Sequence, residues 1–334
     1  MSMKTGTLVD RFGRVHNYLR ISLTERCNFR CVYCMPEEGI PLRPRSEFMT
    51  RHEVYSLAET FVRLGITKIR LTGGEPLVRN DADEIITRLA TLPVELAITT
   101  NGVLVDKFLD TFIAAGLRSV NISLDSLNEE KFSMLTRRNH FRTVMDNIRL
   151  LLEHDFHVKL NAVVMRDFND SELIDFIEFT KDRNVHFRFI EFMPFAGNNW
   201  DLEKGLSYHE IIHLAQQQYG SRVIRLNDSS NDTAKNYQIE GYTGTFAVIS
   251  SVTSPFCDTC NRLRLTADGK LKNCLFSNTE VDLLTPLRNG ENIEHFIHAS
   301  VREKHAARGG MDTLRDFEQQ ASVNGNRAMV AIGG

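Results

Sequence analysis

Tyr18-Leu19-Arg20-Ile21-Ser22-Leu23 is followed, three residues later, by Cys27-Asn28-Phe29-Arg30-Cys31-Val32-Tyr33-Cys34. The first stretch is short and rich in β-favouring residues, as a buried parallel strand should be. The second is a Cys-x3-Cys-x2-Cys loop set directly after that strand. In parallel βα architectures the loops at the C-terminal ends of strands carry the active site. This loop is therefore the first candidate site.

The same rhythm repeats outward from that stretch. Strand-like runs fall at Lys68–Leu71, Val94–Thr99, Ser119–Leu124, His157–Val164 and Val185–Ile190. Between them lie helical signals. Thr50 and Glu53 form a capping box ahead of Val54, Leu57, Ala58 and Phe61, and Gly65 closes that segment. Ile85, Ile86 and Leu89 mark a second helix, Phe108, Phe112 and Ile113 a third, and Phe141, Val144, Met145 and Ile148 a fourth. Leu173, Phe176 and Ile177 mark a fifth, and Ser207 and Glu210 cap another. Six βα units in a row imply a parallel sheet, and six are too few for the full eight-stranded barrel. The expected architecture is α/β, a partial (βα)6 TIM-like barrel over residues 1–195. An open doubly wound sheet is the alternative.

Beyond residue 195 the pattern changes. Tyr237–Ile249 reads as antiparallel β structure with Gly241 and Gly244 at turns. Leu263–Thr266 and Lys270–Leu275 flank Asp268-Gly269, a hairpin signal. A last helix is expected over Ile293–Ala307. We expect residues 196–307 to form a C-terminal α+β region that closes the barrel. Residues 308–334, rich in Gly, Asn, Gln and Arg, read as a flexible tail.

Composition bounds the function. The 334 residues are 42% apolar and 25% charged, which excludes collagen-like, disordered and disulfide-miniprotein classes. Forty basic and 43 acidic residues leave a net charge of −3, so no general nucleic-acid coat is expected. No apolar block marks a secretory leader, and the longest uncharged run, Gly241–Cys257, is too polar to span a membrane. We expect a cytoplasmic protein, in which six cysteines serve as metal ligands or catalytic thiols rather than as disulfides.

Three thiolates can bind three corners of a 4Fe–4S cube and leave one iron open. Zinc prefers four ligands, and no fourth cysteine stands near Cys34. A second set, Cys257-x2-Cys260-x13-Cys274, lies in the C-terminal third, and the Asp268-Gly269 turn brings Cys274 back towards the other two. Here a structural zinc completed by His295 or His298 stays open as an alternative.

The first cysteine loop resembles the radical S-adenosylmethionine (SAM) superfamily. Tyr33 stands where that family has an aromatic residue, and Gly73-Gly74-Glu75-Pro76 after the second strand matches its GGEP motif. The resemblance sharpens to the family of GTP 3′,8-cyclases of molybdenum cofactor biosynthesis. It is carried by Leu19–Cys31, Tyr33–Pro36, Lys68–Leu77, Thr99–Gly102, Asn121–Asp125, Phe187–Met193, Phe256–Leu265 and the terminal Gly333-Gly334. Glu25, where the family has Asp more often, and Asp167-Phe168, at a turn that is more glycine-like there, are the departures.

The resemblance implies two 4Fe–4S clusters, on Cys27, Cys31 and Cys34 and on Cys257, Cys260 and Cys274. It implies a SAM site lined by Gly74, Ser123 and Met193 with Tyr33 beside it, and Glu75 as acceptor for the SAM ammonium. GTP would be held by Arg20, Arg70, Thr99 and Lys159, joined by Arg262 and Arg264 from beside the second cluster. The implied product is (8S)-3′,8-cyclo-7,8-dihydro-GTP. The implied partners are a flavodoxin-type electron donor and the downstream cyclic pyranopterin monophosphate synthase, and a homodimer is compatible with the family. In that family the Gly-Gly tail reaches the active site. The rivals are a peptide-modifying radical-SAM enzyme, which should carry more C-terminal cysteines, and a zinc-stabilised binding protein.

Overall fold

The computed structural model describes residues 6–35, 39–40, 43–196, 198, 200–321 and 326–333. Pro36 and Gly334 lie outside the described residues. The strands are β1 (Tyr18–Ser22), β2 (Lys68–Thr72), β3 (Glu95–Thr100), β4 (Ser119–Ser123), β5 (His157–Val164) and β6 (Val185–Glu191). They continue with β7 (Val223–Arg225), β8 (Lys235–Ile239), β9 (Thr245–Ile249), β10 (Arg262–Leu265), β11 (Lys270–Lys272) and β12 (Val281–Asp282). The helices are α1 (Arg51–Arg63), α2 (Ala82–Leu89), α3 (Val105–Ala114), α4 (Glu129–Thr136), α5 (Phe141–Glu153) and α6 (Leu173–Glu178). After them come α7 (Tyr208–Tyr219), α8 (Leu284–Arg288), α9 (Glu294–Arg302), α10 (Leu314–Ala321) and α11 (Met329–Ile332).

All twelve strands join one sheet in the order β12-β11-β10-β1-β2-β3-β4-β5-β6-β9-β8-β7. The six predicted strands are its centre, each parallel to the next. The C-terminal region does not close the barrel. Instead, β10 adds parallel to β1 and β9 adds parallel to β6, so both edges are extended and the sheet stays open. The predicted β8–β9 and β10–β11 antiparallel pairs both form. The parallel joints that their inner strands make to the first half were not read from the sequence.

Alternation along each strand divides the two faces. Leu19 and Ile21, Ile69 and Leu71, Ile98, Val120 and Ile122, Leu160, and Phe187 and Phe189 are fully buried in the main apolar core. The opposite face carries Tyr18, Arg20, Arg70, Thr99, Asn121, Lys159 and Arg188. Both predicted capping boxes are present, Thr50 with Glu53 and Ser207 with Glu210. Helix α4 was missed. It is one short element in which Phe132, Leu135 and Thr136 are the buried residues.

The segment read as a flexible tail contains two helices in its described part, α10 and α11. Phe317 and Ile332 are buried in a second apolar cluster with Phe192, Phe195, Trp200, Val252 and Phe276. Each such side chain contributes roughly 1.5–3 kcal/mol on burial, which holds helices too short to form alone. Arg327 fixes the same segment to Asp268 through two hydrogen bonds of 2.8 and 2.9 Å, and also pairs with Glu280. Among the described residues no helix is long and apolar enough to cross a membrane.

Candidate functional site

The first cysteine loop follows β1 and lies beside the Gly73-Gly74 turn after β2. Gly74 is required by packing. A Cβ there would stand 2.5 Å from the Arg26 carbonyl oxygen and 2.8 Å from Val330 Cγ2. Gly74 therefore lets the turn lie against the cysteine loop itself. The Gly74 and Glu75 amides donate to the Thr24 and Arg26 carbonyls at 2.7 and 2.8 Å.

Glu75 is placed differently from the other residues assigned to SAM. It does not line the cavity. Its buried carboxylate accepts from the Leu77 amide at 3.1 Å, the Thr100 hydroxyl at 2.8 Å and the Asn101 amide at 2.6 Å. Burial pushes its carboxyl up to about 7, against the pull of those donors. Glu75 braces two loops through these three donors.

Cys27, Cys31 and Cys34 line one cavity together with Tyr33, Gly74, Ser123 and Met193. Tyr33 donates its hydroxyl to Asp125 at 2.7 Å, and Asp125 also accepts from the Val163 amide. Burial lifts the Asp125 carboxyl to about 6. Asp125 was not singled out from the sequence. Burial also pushes the thiols up, Cys27 to about 11 and Cys34 to about 12, so loading a metal there must displace protons. The Phe29 amide donates to Cys27 Sγ at 3.4 Å, a contact that favours the thiolate. Three sulfurs with such a donor, walled by Phe29, Met35 and Met193, fit a soft iron–sulfur group.

Cys257, Cys260 and Cys274 line a second cavity with Arg262, Arg264, Asn273 and Lys304. The Arg308 amide donates to Cys257 Sγ at 3.3 Å, and Arg262 and Lys304 donate to Cys260 Sγ at 3.8 and 3.7 Å. Burial works against the Cys260 thiolate, but Lys304 and Arg262 outweigh it and bring the thiol down to about 6. Neither His295 nor His298 lines this cavity. Among the described residues no group of three His, Cys, Asp or Glu side chains is set to hold a single metal ion. A structural zinc would need a fourth ligand that His295 and His298 do not supply to this cavity, whereas a cube can take one thiolate per corner.

Between these two lies the third cavity, and it gathers every predicted GTP residue: Arg20, Arg70, Thr99, Lys159, Arg262 and Arg264. Strand register explains the grouping. Arg20 sits opposite both Arg70 and Arg264, and Asn121 opposite both Thr99 and Lys159. The cavity shares Thr99, Asn161, Ile190, Met193 and Met329 with the first site, and Arg262, Arg264, Phe256 and Leu275 with the second.

The structure adds Arg188, which the sequence reading did not assign. It donates to Asn161 Oδ1 at 2.8 Å, and burial among Arg70 and its neighbours lowers its guanidinium to about 9. Burial and the nearby Arg188 and Arg70 bring Lys159 down to about 8. Among the described residues, seven lysines and arginines line this cavity against one acid, Asp232. Thr99 Oγ1 and Asn121 Oδ1 are buried there without a hydrogen-bond partner among the described residues. Such a surplus of positive charge with free polar atoms suits a polyanion that also carries hydroxyls or amides.

The tail enters here. Met329 lines the first and third cavities, and the Gly333 carbonyl accepts from Arg264 Nη1 at 2.6 Å. Gly333 has φ +88°, and a Cβ would stand 2.6 Å from Thr72 Oγ1, so only glycine fits. Of the two departures, Asp167 holds a left-handed φ of +59°, which explains the glycine preference at that turn. Glu25 is buried near Arg43 and Arg327, at 3.8 and 3.7 Å.

An open α/β sheet with a parallel centre and a three-cysteine loop at the end of β1 defines a radical-SAM type of protein. Residues 21–180 match the family described as Radical SAM superfamily, and residues 185–309 match Molybdenum Cofactor Synthesis C. The chain is 47% identical over 333 residues to "GTP 3′,8-cyclase, mitochondrial" of Arabidopsis thaliana, covering 98% of this chain and 83% of that protein. It is 42% identical over 320 residues to "GTP 3′,8-cyclase" of Listeria welshimeri, covering 94% and 92%. It is 46% identical to "Molybdenum cofactor biosynthesis protein moc-5" of Caenorhabditis elegans but spans only 53% of that protein's length. The crystal structure of Streptococcus suis SuiB bound to S-adenosylmethionine shares the fold, with TM-score 0.62 and 15% identity over 96% of this chain and 79% of that one. The chain belongs to the GTP 3′,8-cyclase family of the radical SAM superfamily.

Proposed function

We propose that this chain converts GTP to (8S)-3′,8-cyclo-7,8-dihydro-GTP, the first step of molybdenum cofactor biosynthesis. The observation that carries the reading is the placement of a cation-rich cavity between two three-cysteine sites, with side chains shared at each boundary. In this reading Cys27, Cys31 and Cys34 hold the 4Fe–4S cluster that binds SAM, and Cys257, Cys260 and Cys274 hold a second. SAM at the reduced first cluster supplies the one-electron chemistry that removes a hydrogen atom from an unactivated C–H bond.

The chain's own residues bind, orient and exclude water. Arg20, Arg70, Lys159 and Arg188 take the triphosphate by charge-assisted hydrogen bonds. Thr99 and Asn121 offer their free oxygens to the nucleoside, and Arg262 and Arg264 hold it against the second site. Tyr33, Gly74, Ser123 and Met193 shape the SAM side, with Tyr33 fixed by Asp125. Met193, Ile190 and Met329 form an apolar wall shared by the first and third cavities and keep water from the reacting carbon.

We place the SAM centre in residues 1–195, the second centre in 196–307 and the tail contact in 308–334. A flavodoxin-type reductase would supply electrons, and cyclic pyranopterin monophosphate synthase would take the product. Six free thiols suit a reducing, cytoplasmic setting. A homodimer is part of the same reading.

The test is an anaerobic incubation of reconstituted protein with SAM, GTP and dithionite. The product is an isomer of GTP, since one hydrogen atom leaves the ribose and one electron and one proton are returned. The expected result is 5′-deoxyadenosine together with a GTP-derived species of unchanged mass. Cleavage of SAM with GTP left intact would remove the substrate assignment.

A further inference from the structure

Lys304 follows α9 and is only 2% exposed. A lysine ammonium has three donor hydrogens, and here three acceptors meet it. They are the Asn273 carbonyl at 2.6 Å, the Arg262 carbonyl at 2.9 Å and Cys260 Sγ at 3.7 Å. Asn273 directly precedes Cys274, and Arg262 lies two residues after Cys260. One ammonium thus ties together both chain segments that flank the second cysteine site.

The segment that carries Lys304 is pinned to the same loop. Arg14 donates to the carbonyls of His305, Ala306 and Cys257 at 2.7, 2.6 and 2.8 Å, and Asp10 holds Arg14 at 2.6 Å. The Arg308 amide donates to Cys257 Sγ. Among the described residues no carboxylate pairs with Lys304, although a buried cation is costly without an opposite charge. The nearest group able to carry that charge is the cysteine set itself.

We propose that Lys304 is a positioning residue for the second cysteine site, whose fixed ammonium offsets the negative charge of the iron–sulfur group held there and raises its reduction potential. This rests on the reading that Cys257, Cys260 and Cys274 hold such a group. Reduction adds one negative charge, and a buried cation in contact with a ligand sulfur favours the reduced state. Removing the charge makes the group harder to reduce.

The experiment uses the full chain with Cys27, Cys31 and Cys34 changed to Ala, so that only the second site takes iron. It is reconstituted anaerobically, its iron is counted, and it is titrated with dithionite under EPR. Lys304→Gln keeps donors for the two carbonyls but removes the charge. We expect it to retain iron and to show about a tenfold lower reduced-to-oxidised ratio at fixed potential, equivalent to about 59 mV for one electron. Lys304→Arg keeps the charge and is expected to titrate within threefold of the parent.

A Gln variant that titrates with the parent overturns the proposal. If the Gln variant loses its iron, Lys304→Arg must restore both iron and potential, and failure to do so reduces Lys304 to packing and overturns it too. A parent chain with no reducible iron–sulfur signal removes the second-cluster reading itself, a result distinct from an unshifted potential.

Discussion

Arg188→Met separates binding from stability, because the two should move in opposite directions. Arg188 is a half-buried cation among other cations, and its guanidinium is lowered from its ordinary value to about 9, by burial first and Arg70 next. A group lowered in this way is penalised in its charged form, and the full penalty applies at every pH below about 9. At about 1.36 kcal/mol per pH unit this is roughly 5 kcal/mol. Water reaching the side chain reduces it, and leaving Asn161 Oδ1 without its donor costs roughly 1–3 kcal/mol. The net expectation is a gain of about 1–3 kcal/mol for the nucleotide-free protein, or a melting rise of about 1–4 °C at pH 7. In the proposed reading the same change removes a charged hydrogen bond to phosphate worth roughly 1.5–3 kcal/mol, so the Kd for GTP should rise about 10- to 150-fold. Calorimetric titration with GTP and thermal melting of the reconstituted protein read the two effects. Unchanged GTP affinity, or a lowered melting point, would refute the claim that this cation is held in place for a polyanion.

Other perturbations follow from the same geometry. Lys159 sits at about 8 when no anion faces it; bound triphosphate should return it towards its ordinary value, so binding takes up a proton above pH 8. The Kd for GTP should rise as the pH goes from 8 to 9.5, and Lys159→Arg should flatten that rise in the same titration. Gly74→Ala drives a methyl into the Arg26 carbonyl, at 2.5 Å, so the first cysteine loop should shift; iron analysis should show that set lost while the second stays loaded. Arg327→Met removes the hydrogen bonds to Asp268 and Glu280, which keep Arg43 and Lys272 as partners; we expect about 1.5–3 kcal/mol of destabilisation and faster proteolytic release of the C-terminal segment.

The sequence carried the chemistry better than the topology. The cysteine spacings, the strand before Cys27 and the hairpin at Asp268-Gly269 are local signals, and each is found where it was read. Arg188 was legible in principle, because Val185, Phe187 and Phe189 alternate with His186, Arg188 and Ile190 along β6. Register with β5 and β9 was needed to show which set faces the cavity. The parallel joints of β10 to β1 and β9 to β6 link residues far apart in the chain, and no local pattern encodes them. The three donors that meet Glu75, at residues 77, 100 and 101, come from two loops that only the fold brings together. The tail looked irregular because its composition is polar, yet Phe317 and Ile332 find an apolar cluster made largely by other segments. Tertiary packing decided the structure there, against local propensity.

The central claim is a division of labour between two cysteine sites across one cation-lined cavity. It is tested most directly by Cys274→Ala in the reconstituted protein, with 5′-deoxyadenosine and the GTP-derived isomer measured in the same chromatogram. The account predicts that 5′-deoxyadenosine still forms while the isomer is lost. Full isomer formation by Cys274→Ala, or loss of both products with the first cluster's iron intact, would contradict it.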